Sequence, residues 1–71
     1  MRFSRHAKNK ARDLEVSVAD AEAMIARATA VDCDADGKPR YTGYIGGVLV
    51  RVIVALDDPD LIVTIHERRR L

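Results

Sequence analysis

Small and branched apolar residues near the start of the chain recur at helical spacing. Ala7, Ala11 and Leu14 fall on one stripe at i, i+4 and i+7, with Phe3 just ahead. Ser4 stands where a cap is needed, so the spacing predicts a helix from there to about residue 13. His6, Lys10 and Asp13 lie on a neighbouring stripe. A second helix start follows at Ser17. Asp20 stands three residues later, and Asp20 with Glu22 puts acids in the positive first turn. Val18, Ala21, Ile25 and Ala28, with Met24 beside them, form its apolar face to about residue 28. Alanine dominates that face, which implies close packing on whatever lies beneath it.

Beyond Thr29 the period changes from helical to alternating. Strands are predicted over 30–33, 40–45, 48–56 and 61–67. Residues 34–39 and 57–60 read as turns, and Gly46-Gly47 as a tight hairpin. Short connections favour an antiparallel meander. The expected fold is α+β, with two N-terminal helices packed on one face of a four-stranded antiparallel meander sheet in the order ααββββ.

Alternation then assigns faces. Val48, Val50, Val52 and Val54 share the aliphatic face expected under the helices, which leaves Arg51 on the open one. In the last strand Leu61, Val63 and Ile65 share a face, and Ile62, Thr64, His66 and Arg68 share the other. Neighbouring strands would bring Arg51, Thr64 and His66 together. In the preceding strand, Arg40, Thr42 and Tyr44 form one row and Tyr41, Gly43 and Ile45 the other. Which row joins the open face depends on register, and alternation alone leaves both open. A solvated outer face is the bland alternative for such a cluster.

Composition narrows the class. Seventy-one residues make a single domain spanning 1–71, too small for separate cofactor and catalytic domains. Hydrophobic residues are 48% and charged residues 32%, which excludes a collagenous or strongly charged disordered chain. Cys33 is the only cysteine, so an internal disulfide and a four-thiol zinc site are excluded. No apolar run approaches the roughly 20 residues of a membrane span, and a cytoplasmic protein without cofactor or metal is expected.

The near-neutral total, 12 bases against 11 acids, hides a polarity. Arg2, Arg5, Lys8, Lys10 and Arg12 stand without an acid in the first twelve residues. Arg68, Arg69 and Arg70 face only Glu67 at the other end, while the middle carries ten acids and four bases. If the two ends meet, they form a positive patch suited to phosphate backbones. Arginine binds phosphate through paired hydrogen bonds. Histidine exchanges protons near neutral pH.

Several short motifs occur in a familiar order. They are Phe3-Ser4-Arg5-His6-Ala7, then Lys10, Val16-Ser17, Arg40-Tyr41, the valine-rich strand and Ile62-Val63-Thr64-Ile65-His66. The chain thereby resembles, over nearly its whole length, a small bacterial domain family similar to the RelE-like toxins. Those belong to a wider group of metal-independent ribonucleases that includes barnase and the colicin tRNases. The sequence departs from the family pattern at Lys10 and Leu14, where arginines are usual, at Glu15, where glycine is usual, and at His66, where an aromatic closes the motif.

The resemblance implies a toxin-like endoribonuclease that cuts RNA by 2′-hydroxyl attack and is inhibited by a cognate antitoxin protein. It puts His6 and Thr64 in the site, and the residues themselves add His66 and Arg51. His6 and His66 are expected as the acid–base pair. Arg51, with Lys10 or Arg40, neutralises the scissile phosphate, and Thr64 positions it. Arg5 and Arg68 hold neighbouring phosphates, and Tyr41 and Tyr44 can stack on bases, with ordinary strand packing as the alternative for both. Two alternatives stay open: a noncatalytic RNA- or protein-binding module, and a small interaction domain that forms a homodimer through its sheet.

Overall fold

The structure, a computed structural model, describes residues 1–70; the side chains of Arg69 and Arg70, and Leu71, lie outside the described residues. The elements run β1 (Arg2–Phe3), α1 (Arg5–Leu14), α2 (Val18–Ala26), β2 (Ala30–Cys33), β3 (Pro39–Ile45), β4 (Val48–Ala55) and β5 (Asp58–Arg70). No helix among them is long and apolar enough to cross a membrane.

The fold class is α+β, but the sheet differs from expectation. It has five strands in the order β1-β5-β4-β3-β2, and β1 pairs with β5 in parallel. The expected four-stranded antiparallel meander is therefore corrected to a mixed sheet, with element order βααββββ. Strands β2 to β5 do form an antiparallel meander. The missing strand is Arg2–Phe3, two residues that show no period. It is secured from both ends of the fold: the N-terminal ammonium of Met1 donates to Glu22 Oε2 at 3.0 Å, and Arg2 Nη2 donates to Asp58 Oδ2 at 2.6 Å.

Both helix starts follow their local chemistry. Ser4 accepts from the Ala7 amide, and Ser17 and Asp20 form a complete capping box. Helix α1 ends on Glu15, whose φ of +58° is the left-handed conformation that glycine adopts at less cost. The hairpin between β3 and β4 turns on Gly46 and Gly47, with φ of +56° and +81°. Two consecutive positive φ values make the turn that matches strand twist, so only a two-residue loop is needed.

The core lies between the helices and one sheet face. Ala7 and Ala11 of α1, Ala21 and Met24 of α2, and Val50, Val52, Val54, Ile62 and Ile65 of the sheet are buried together. The alanines allow the close approach their number implied. Gly43 extends it: a Cβ there would stand 2.8 Å from Met24 Sδ.

Strand β5 corrects the expected alternation. Ile62 was expected on the open face, yet it is fully buried beside Ile65. Val54 pairs with Ile62, but Ile53 pairs with Thr64, so Val63 is an extra residue that switches the phase. Ser4 docks at this bulge, its amide donating to Ile62 O at 2.9 Å and its hydroxyl to Val63 O at 3.3 Å. The strand also begins earlier than expected, at Asp58 rather than 61, and runs on past 67.

Candidate nucleic-acid interface

Register decides which side chains meet on the open face. In β3, Gly43 faces α2, so Thr42 and Tyr44 face away from the helices. Thr42 lies opposite Arg51, and Arg51 lies opposite His66. One row across three strands is therefore Thr42–Arg51–His66. The next row toward the other end is Arg40–Ile53–Thr64, and the row on the hairpin side begins Tyr44–Leu49. The bulge at Val63 aims Thr64 and His66 at this face while Ile62 and Ile65 stay in the core.

The row is electropositive. Arg51 is part-buried and donates from Nε to Thr42 Oγ1 at 3.5 Å, a long contact. It has no carboxylate partner among the described residues. Burial, first, and then the charges of Arg68 and Arg40 lower its pKa from the ordinary arginine value, while Asp32 opposes them. His66 is held below its ordinary 6.5, again first by burial and then by Arg51, Arg68, Lys10 and Arg40. Four cations thus act on one imidazole. The neutral imidazole is favoured, and any anion placed there gains the uncompensated field.

The expected site residues separate into two groups. Arg51, Arg68, Lys10 and Arg40 all act electrostatically on His66, with Thr64 in the adjoining row. Both basic ends of the chain act on His66: Lys10 from α1, which packs on β5, and Arg68 from the end of β5 itself. Arg40 is already engaged. It makes paired bonds to Asp32, Nε to Oδ1 at 2.8 Å and Nη2 to Oδ2 at 2.7 Å, and this pairing lowers the pKa of Asp32. His6 and Arg5 are exposed in the first turn of α1 and make no hydrogen bond or ion pair among the described residues. His6 is absent from the charges acting on His66; the helical stripe reaches His66 through Lys10, one turn further on. Tyr41 lies on the helix side, packed against the core, so its side chain does not share the face of Arg51.

Two residues of this face, Thr42 and the counterion Asp32, had no assigned role in the sequence reading, whereas Tyr44 was expected, with Tyr41, as a residue able to stack on bases. The signal that finds Thr42 was present. A two-residue Gly46-Gly47 turn sets Ile45 opposite Val48, and counting back puts Thr42 opposite Arg51. A cleft of about 280 Å³ lies elsewhere, between the end of α1 and the β3–β4 hairpin. Asp13 and Glu15 line it, the wrong charge for a phosphate.

The fold and this face define an α+β domain that presents a cationic, histidine-bearing open sheet. Comparison with protein-family models, curated proteins and solved structures returned no match.

Proposed function

We propose that the open face binds RNA by its phosphates and cuts it without metal at the phosphate seated on Arg51. The observation that carries this reading is the row Thr42–Arg51–His66, which sets a part-buried imidazole directly opposite a part-buried arginine that has no carboxylate partner among the described residues. The likeness to RelE-like toxins supports the same chemistry. In this scheme neutral His66 takes the proton from the ribose 2′-hydroxyl, and the 2′-oxygen forms a bond to phosphorus. The bond from phosphorus to the 5′-oxygen breaks, and that oxygen takes a proton from water. The products are a 2′,3′-cyclic phosphate and a 5′-hydroxyl, and the imidazolium returns its proton to solvent. Arg51 and Lys10 stabilise the charge on the phosphorane, and Thr42 and Thr64 donate to its oxygens. A protein inhibitor that covers this cationic face, an antitoxin, completes the reading.

One observation favours a second reading. A single imidazole stands in the row Thr42–Arg51–His66, and His6 belongs to α1 rather than to the sheet. A noncatalytic RNA-binding module would need only the cations. Incubating RNA with the protein in EDTA separates the two. The first reading expects cyclic-phosphate ends that fall about 100-fold or more in His66→Gln, the scale of general-base catalysis. Binding with no cleavage, in wild type as in the variant, selects the second.

A further inference from the structure

We propose that Tyr44 is a stacking platform for one unpaired base, which makes single-stranded RNA rather than duplex the ligand of this face. The inference rests on the phosphate-binding reading of Arg51 and goes beyond it by naming the strandedness of the ligand. Tyr44 is 43% exposed on the open face. No hydrogen bond or ring contact engages it among the described residues. Buried strand tyrosines pack, as Tyr41 does; Tyr44 offers its ring to solvent.

Its position relative to the cations is set by the ladder. Tyr44 lies opposite Leu49, and Leu49 precedes Arg51 by two residues on the same face. Diagonal neighbours of this kind are about 7–8 Å apart. A phosphate on Arg51 therefore leaves the base across its ribose within reach of the ring. Leu49, itself only part-exposed, forms an apolar floor beside the ring. Cations that hold a backbone next to an aromatic that holds a base are the two parts of a single-strand site. A duplex keeps its bases stacked inside and can use only the cations.

The test measures binding of a short 2′-O-methyl RNA oligonucleotide, which the 2′-attack cannot cut, beside inorganic pyrophosphate. Tyr44→Ala is expected to weaken the oligonucleotide about ten-fold and to leave pyrophosphate unchanged, and Tyr44→Phe to retain both. An oligonucleotide of abasic residues should bind the wild-type protein as weakly as the normal one binds Tyr44→Ala, which needs no variant to fold. Oligonucleotide affinity within two-fold of wild type in Tyr44→Ala, or duplex binding as tight as single strand, overturns the inference. Failure of the underlying reading looks different: Arg51→Gln would then bind pyrophosphate and oligonucleotide as the wild type does.

Discussion

The two faces of the sheet solve opposite problems with the same strands. Toward the helices, Val50, Val52, Ile62 and Ile65 are buried, and no buried residue in the described structure is polar or charged. Away from them, Arg51, Arg68, Lys10 and Arg40 all act on His66, and Asp32 pairs with Arg40. The buried face is internally satisfied. The open face carries unbalanced charge, which lowers the affinity of its own groups for protons and costs the fold stability. An anion bound on this face, such as the proposed RNA phosphate, would offset that cost.

The largest test of this division is on the buried side. Ile62→Ala removes a fully buried side chain at the bulge that carries the phase change. It should destabilise the fold by about 2–5 kcal/mol, read from denaturant midpoints. At low temperature, where the variant stays folded, pyrophosphate binding should persist. A loss much under 1 kcal/mol would mean that Ile62 is not packed as described, and that the faces are not separated by the bulge.

A smaller effect tests the open side. His66 has a folded pKa below its ordinary 6.5, because burial and four cations disfavour its charged form. As pH falls, the unfolded chain therefore takes up this proton before the folded one does. Stability from this group is intact above about 6.5, declines between 6.5 and the lower folded value, and is flat below it. His66→Gln should remove that step. Bound pyrophosphate should shrink it in the wild type, because an anion raises the imidazole pKa. Asp32 and Asp58, both lowered from 3.8 by arginine bonds, lose their contributions in a separate, more acidic window. A stability profile between pH 7 and 5 that is the same in wild type and His66→Gln would break the electrostatic half of the comparison.

Much of this division was legible in the residues. Ser4 and Ser17 announced their helices through short-range capping chemistry. Val48 to Val54 declared the buried face by strict alternation. Arg51 and His66 were placed together because each sits on the polar phase of a strand. The rest lay outside local pattern. Ile62-Val63-Thr64-Ile65 has no period, because an extra residue lets two apolar positions three apart share the core. Arg2–Phe3 is too short to read as a strand and exists only because β5 offers an edge. Tyr41 and Tyr44 look alike in sequence. Their opposite fates follow from register, which the hairpin glycines determine. Where the stripe of His6 and Lys10 meets a strand is likewise not set by helix spacing alone.

The smallest expected effect concerns the single counterion. Asp32 holds Arg40 by two short bonds in an exposed pair, on the outermost strand of the meander. Asp32→Asn keeps the shape, removes the charge and frees the Arg40 fork. Exposed ion pairs contribute little to folding, so stability should hardly change. The open face, however, loses the carboxylate that pairs with Arg40. Pyrophosphate and single-stranded RNA should bind about two- to five-fold more tightly, with a steeper dependence on salt because one more cation is available to phosphate. The gain should vanish in the Asp32→Asn/Arg40→Gln double variant, which separates release of Arg40 from the mere loss of a repelling carboxylate. Unchanged affinity in Asp32→Asn would show that the ligand sits too far along the Thr42–Arg51–His66 row to feel the next one, and would confine the site to Arg51, His66, Arg68 and Lys10.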